Sequence, residues 1–290
     1  MTVLLTGATG FTGSHLLEQL LAAGIRPRCL VRPASAAAAD ELRARGADVA
    51  LGDIADPASL VEALRGVETL LNTASIGFGH GPGLVEAAER AGVRRAIFIS
   101  TTAIFTTLEA KTKSVREAAE ARIRGSALAW TIIRPTMIYG TPRDRNMIRL
   151  VRYLQRWPVI PVIGDGKHLQ QPVYVGDVAR AVILALNSDN TIGRAYNIAG
   201  REPLTFNQVI DTVARLLGRR VYKLHLPVAP IVAPLRLLER TGLRFPIKAE
   251  QILRLNENKA FDYGEAARDF GYAPVSFEEG IAREIAVTRQ

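Results

Sequence analysis

Residues 6–16 read TGATGFTGSHL, and no other stretch limits the possible folds as strongly. Gly7, Gly10 and Gly13 stand three residues apart, directly after the apolar run VLLT and directly before leucines at helical spacing. The pattern predicts a strand, a tight turn and a helix. The first glycine permits the turn, the second lets the backbone approach a pyrophosphate, and the third lets helix and strand pack closely. The helix start then offers unbonded N–H groups and the positive end of its dipole to the phosphates. A turn that binds nothing is the alternative; the position between strand and helix favours dinucleotide binding.

The rest of the first half repeats the unit. The short apolar runs PRCLV, ADVAL, TLLNT, RAIFIS and WTIIRP alternate with helix-like segments such as PGLVEAAERAG, which closes at Gly92. Asp56-Pro57 reads as an N-cap followed by proline at the first helical position. Uninterrupted apolar strands belong to a parallel sheet covered on both faces. The βαβα order predicts an α/β, Rossmann-type doubly wound parallel sheet. After Tyr139-Gly140 the rhythm changes. TPRDRNMIRLVRYLQRW reads as a helix, VIPVIGDGK as a short strand and turn, and PVYVGDVARAVILAL as a strand leading into a helix. Thr205 with Gln208 and Ser276 with Glu279 form capping boxes that open two more helices. The expected division is a dinucleotide-binding lobe of residues 1–140 and 172–200 and a smaller C-terminal substrate lobe of residues 141–171 and 201–290.

Composition narrows the classes. One cysteine, Cys29, provides neither a disulfide nor a thiolate metal site, so a reducing, cytoplasmic setting is expected. The four histidines form no metal-like cluster, and no metal is expected. The chain opens directly on its strand and glycine turn, which predicts no targeting segment. No apolar run reaches the ~18 residues of a membrane span. The nearest candidate, LPVAPIVAPLRLL at 226–238, is broken by prolines and reads as a core-packing or lid helix, the alternative being a membrane-surface segment. The net charge of +9 is scattered, without an aromatic-interleaved basic patch, so no nucleic-acid partner is expected. The expected partner is a small-molecule substrate, and the expected state a monomer or homodimer.

The glycine turn, Gly52-Asp53, RPTMIYG (134–140), QQPVYVGDVARAV (170–182) and FDYGEAARDFGYAPVSFEEGI (261–281) together resemble the extended and atypical branch of the short-chain dehydrogenase/reductase superfamily. That branch includes the NAD-dependent epimerase/dehydratase-like proteins. The resemblance runs through nearly the whole chain in motif order. It implies fold and cofactor and leaves the reaction open, since reductases, epimerases, dehydratases and non-catalytic members share the scaffold.

By position, the resemblance implies that Gly7, Thr9, Gly10, Phe11, Thr12 and Gly13 meet the cofactor phosphates. It puts Asp53 and Ile54 at the adenine, Asn72, Thr73 and Ala74 beside the ribose, and Pro135 at the nicotinamide. NAD-preferring relatives carry an acidic residue after the second strand. Here LVRPAS carries Arg32 instead, which suits a 2′-phosphate and favours NADP(H) over NAD(H). The alternative is an Arg32 that stacks on the adenine or faces solvent. Ser100, Thr101 and Thr102 stand where the family keeps a substrate-facing hydroxyl, unless they only bond the strand end. Asp177 is expected to cap a helix starting near Val178.

Most of the superfamily uses Tyr-x-x-x-Lys as proton donor and its partner. An ungapped alignment of AEARIRGSALAWTIIRP places the pair at Thr112 and Arg116. A threonine hydroxyl titrates too far above neutrality to replace a phenol, and arginine does not lose its proton. No tyrosine lies between Phe98 and Tyr139. Lys111 and Lys113 are substitute candidates, against the alternative of solvated helix-start lysines; Tyr139 and Tyr174 are phenols from elsewhere, with Tyr139 otherwise structural. Two functions remain. The preferred one is an NADP(H)-dependent oxidoreductase or epimerase/dehydratase-like enzyme with a non-standard proton donor. The other is a non-catalytic NADP(H)-binding redox sensor or assembly factor, similar to the NmrA-like regulators or the accessory subunit of respiratory complex I.

Overall fold

The computed structural model describes residues 1–108, 111–240, 253 and 256–288. Its strands are β1 Val3–Thr6, β2 Arg28–Val31, β3 Asp48–Leu51, β4 Thr69–Asn72, β5 Arg95–Ile99, β6 Ala129–Pro135, β7 Ile138–Tyr139, β8 Val159–Ile163, β9 Leu169–Gln170, β10 Val173–Tyr174, β11 Arg194–Ile198, β12 Leu204–Thr205 and β13 Tyr222–Leu226. Seven of them form one parallel sheet in the order β11-β6-β5-β4-β1-β2-β3. The strands at its centre, β1 and β4, are buried along their whole length, as their unbroken apolar sequence predicts. Helices α1 (Phe11–Ala22), α2 (Ala36–Ala44), α3 (Pro57–Ala63), α4 (Gly81–Arg90) and α5 (Lys111–Arg124) connect the first six strands.

Each face of the sheet has its own core. Leu16, Leu17 and Leu20 of α1 pack with Val178 and Val182 on one face, and Leu84 and Val85 of α4 pack with Ala119 and Ile123 of α5 on the other. The sheet grows from β1 toward β3 and then restarts on the opposite side at β4. That reversal opens a crevice beyond the carboxyl ends of β1 and β4, the usual ligand position in an open α/β sheet.

A smaller lobe follows β6. Helices α6 (Met147–Arg156), α8 (Phe206–Leu216) and a C-terminal helix, Phe277–Thr288, bury Val151, Ile210, Val213, Phe277 and Ile281 together. Three two-strand pairings frame it: β7 with β10, β9 with β12, and β8 with β13. The capping box of Thr205 and Gln208 opens α8, and Ser276 Oγ accepts the Glu279 N–H at 3.2 Å.

Two readings need correction. The helix predicted across TPRDRNMIRLVRYLQRW begins only at Met147, because Asp144 Oδ1 accepts the N–H groups of Asn146 and Ile148 and turns the chain there. Asp177 is no N-cap. Helix α7 (Val175–Leu186) starts after an extended Tyr174, and Asp177 lies within its first turn at 1% exposure. Its carboxylate accepts from the Val275 N–H and Arg180, tying the C-terminal segment to α7; burial raises its pKa against those two donors. Of the 226–238 stretch, Leu226 ends β13 and residues 229–238 lie in helix α9 (Ala229–Arg240), with Val232 buried beside Ile163 and Leu235. Among the described residues no helix is long and apolar enough to cross a membrane, and no group of three or more His, Cys, Asp or Glu could hold a metal ion. Cys29 is buried, and burial pushes its thiol up to about 12.

Candidate cofactor turn and substrate cavity

The three glycines answer to different demands. Gly7 has φ +73°, a conformation that side chains with a Cβ rarely adopt, and a Cβ there would also lie 2.7 Å from Thr73 Oγ1. A Cβ on Gly13 would stand 2.0 Å from the Gly7 carbonyl oxygen. Gly10 is the N-cap of α1, and its N–H donates to that same carbonyl at 2.9 Å. Among the described residues no side chain caps α1 and its first turn carries no acid, so its leading N–H groups stay available to an anion. The turn therefore fits a pyrophosphate by conformation, by clearance and by charge.

Beside the turn lies a cavity of about 240 Å³ lined by Gly7, Thr9, Gly10, Arg32, Ser35, Asp53, Ile54 and Ala74. Arg32 is exposed at its wall, with no ion-pair partner among the described residues. Asp53 Oδ1 accepts the Ala55 N–H at 2.9 Å, which shapes the loop after β3. Asn72 and Thr73 brace the strand ends instead of lining the cavity. The Asn72 amide accepts from Thr6 Oγ1 at 2.6 Å and donates to the Ala74 carbonyl at 2.9 Å, while Thr73 Oγ1 donates to the Thr6 carbonyl. Phe11 and Thr12 begin α1 outside the cavity wall, with Phe11 edge-on to His15.

A second, larger cavity of about 620 Å³ opens over the ends of β5 and β6. Thr101, Thr102 and Thr136 supply hydroxyls, Phe105, Met137 and Phe261 supply apolar wall, and Glu257 and Lys259 close the side formed by the late chain. Glu257 accepts from Thr106 Oγ1 and from both the N–H and hydroxyl of Thr107 at 2.8–3.1 Å. Burial works to raise its pKa, and these donors outweigh it and hold the carboxyl below its ordinary value.

The candidate catalytic residues separate into groups. Thr101 and Thr102 face this cavity. Thr101 Oγ1 accepts the Ala103 N–H at 3.2 Å, whereas the Thr102 hydroxyl donates to the Pro135 carbonyl at 3.3 Å. Ser100 lies behind the wall: its hydroxyl donates at 2.7 Å to Glu120, which also takes two donors from Arg134. The Arg134 guanidinium in turn sits 5.2 Å over the Phe105 ring. Thr112 and Arg116 bind each other, Arg116 Nη1 donating to Thr112 Oγ1 at 2.6 Å, and the guanidinium packs on Gly77. Lys113 Nζ donates to the Thr106 carbonyl at 2.9 Å and so holds the cavity rim. The Lys111 side chain lies outside the described structure. Tyr139 is 1% exposed in the smaller lobe's core, its hydroxyl on the Phe277 carbonyl, and burial drives its pKa far up. Tyr174 packs edge-on against it. Neither phenol is part of the cavity lining.

Two residues escape sequence reading. Arg143 reaches back from the loop after β7 to the glycine turn, and Glu257 sits in a stretch, NENKAF, that carries no motif. Proximity in the fold is their only signal.

The pattern of the NAD(P)H-binding family matches residues 7–189, more than half of the chain. The chain is similar to the mitochondrial NADH dehydrogenase [ubiquinone] 1 alpha subcomplex subunit 9 of Arabidopsis thaliana, at 28% identity over 60% of this chain and 44% of that protein. The match thus spans less than half the length of the plant protein. It is also similar to a 2-alkyl-3-oxoalkanoate reductase of Stenotrophomonas maltophilia, at 24% identity over 98% of each. The fold matches that of a UDP-glucuronic acid 4-epimerase from Bacillus cereus solved with NAD, with TM-score 0.77, 20% identity, and 100% and 99% of the two chains covered.

Proposed function

Because the chain belongs to the NAD(P)H-binding family, we propose that it is an NADP(H)-dependent oxidoreductase of the extended and atypical short-chain dehydrogenase/reductase type, with a non-standard proton donor. Its substrate carries a carbonyl or hydroxyl at the head of an apolar body. The observation that carries this reading is the pair of cavities at the carboxyl ends of the sheet strands: one holds the glycine turn and Arg32, the other a cluster of threonines against phenylalanine and methionine. The family resemblance to a 2-alkyl-3-oxoalkanoate reductase supports a keto group on an alkyl chain.

When bound, the nicotinamide supplies or accepts the hydride. The chain then has to bind the substrate oxygen and move one proton at it. Thr101 is the candidate for that contact: its oxygen already accepts a backbone N–H, which leaves the hydroxyl proton to point at the substrate. Threonine titrates too high to be the proton's source, so it acts as a relay from water. Arg32 reads the 2′-phosphate by a charged hydrogen bond. The single cysteine, with no second thiol in the sequence to pair with, supports a reducing, cytoplasmic setting.

A second reading is favoured by one contact. Thr112 and Arg116 satisfy each other, where an active pair would face the substrate. This supports a cofactor-binding sensor or assembly factor, in line with the similarity to a respiratory-complex subunit. Purified protein mixed with NADPH and a panel of ketones, 3-oxo esters and quinones separates the two. Cofactor oxidation supports the enzyme; tight NADPH binding with no oxidation across the panel supports the sensor.

A further inference from the structure

The smaller lobe carries an apolar sheet face that nothing in the cofactor reading uses. Strands β8 and β13 pair in parallel with Val159 opposite Tyr222 and Pro161 opposite Leu224. Ile160 and Val162 point inward, so the alternate residues point out. Trp157, extended and two residues before Val159, continues the outward row. Exposure is 58% for Trp157, 44% for Val159, 70% for Tyr222 and 54% for Leu224.

Arginines stand at one end of this face. Because the strands run parallel, the residues leading into both lie at the same end: Arg156 before β8, and Arg219 and Arg220 before β13. Arg152 is exposed one turn earlier on α6. Among the described residues these four have no ion-pair partner. Nearby Arg215 and Lys223 do, on Glu278 and Asp211, so the local carboxylates are already engaged.

We propose that this face docks the protein reversibly on an anionic membrane surface. Tryptophan and tyrosine settle at headgroup depth, aliphatic residues enter the acyl boundary, and long arginines reach the phosphates. A second copy of the chain fits poorly, because a two-fold contact presents the same face again and its local carboxylates, on Glu278 and Asp211, are already paired, leaving the arginines without an acidic partner. A nucleic acid would meet the arginines and rings but has no use for the Val159, Pro161 and Leu224 surface. One such patch gives weak, salt-sensitive attachment, not permanent anchoring.

The test is sedimentation of the full chain with phosphatidylcholine vesicles, with and without phosphatidylglycerol, at low salt. Binding is expected only to the anionic vesicles, with loss on adding salt. Trp157 emission should shift to the blue; of the two tryptophans, Trp130 is buried at 8% exposure, so the shift reports Trp157. The double variant R219E/R220E should bind at least ~30-fold more weakly, at about 1 kcal/mol for each charge removed near such a surface. Trp157→Ser with Tyr222→Ser should lose the membrane without losing NADPH affinity, which also certifies its fold. Equal binding to neutral vesicles, no binding at low salt, or unaffected variants would overturn the proposal. So would a solution dimer that these variants split, or an oligonucleotide that binds this face where vesicles do not.

Discussion

Arg143 Nη2 donates to the Thr9 carbonyl oxygen at 2.7 Å, joining the loop after β7 to the dinucleotide turn. The contact brings a full positive charge to the backbone that a pyrophosphate would approach. Arg143→Ala should weaken NADPH and NADH about equally, by roughly fivefold, since the exposed guanidinium is worth about 1 kcal/mol there. Fluorescence titration of both cofactors checks it. A loss confined to NADPH would mean that Arg143 reads the 2′-phosphate instead.

Gly13→Ala should be worse than its size suggests. Its Cβ would meet the Gly7 carbonyl at 2.0 Å, and a backbone atom cannot swing away. Both thermal stability and cofactor affinity should fall. Gly10→Val places its Cβ only 3.0 Å from the same oxygen and should abolish binding at a smaller stability cost. Calorimetry with a parallel titration separates the two effects.

Arg32 should set cofactor choice. Arg32→Ala should weaken NADPH at least ~tenfold and leave NADH nearly unchanged, the size of one lost charged hydrogen bond. Equal losses would place Arg32 over the adenine.

The hydroxyls should separate by position. Thr101→Val should cost turnover about 10²-fold or more if the hydroxyl serves the substrate oxygen. Thr112→Ala should cost little, because Thr112 faces Arg116 and lies outside both cavities. Single-turnover hydride transfer, with affinity measured separately, reads each; a thousandfold loss for Thr112→Ala would reverse their roles.

Stability should decline toward alkaline pH. Glu284 is 0% exposed and faces Asp144, so burial first, and then the second carboxyl, push its pKa from 4.5 up to about 9. A pKa raised in the folded state stabilises fully below the unfolded value and loses that contribution as pH rises through the folded one. The melting temperature should therefore fall between about pH 5 and 9. Glu284→Gln, which cannot ionise, should flatten that fall by several degrees.

The sheet and the turn were legible because they rest on local rules. Gly7, Gly10 and Gly13 have their clearance written in three-residue spacing, and β1 and β4 are buried where the apolar runs predict. The chemistry of the larger cavity was not legible in this way. Tyr139 and Thr101 look equally available in sequence, and only packing sends one into a core and the other to a cavity wall. Basic and aromatic residues in RYLQRW and RRVYKL looked scattered because pairing of β8 with β13 is what unites them.

The bonds from Thr106 and Thr107 to Glu257 span about 150 positions of chain. Their consequence is an order of assembly. Every residue lining the cavity at the glycine turn has left the ribosome once Ala74 emerges, whereas the larger cavity waits for Phe261. As synthesis proceeds from the N-terminus, the lining of the cavity at the glycine turn is made while that of the other is not, although α7 and Arg143, which pack against the turn and α1, follow later. A nucleotide that bound at that stage would stabilise the early sheet, as any ligand stabilises the form it binds. If the nascent turn binds the cofactor, adding NADPH during cell-free synthesis should raise the yield of folded protein.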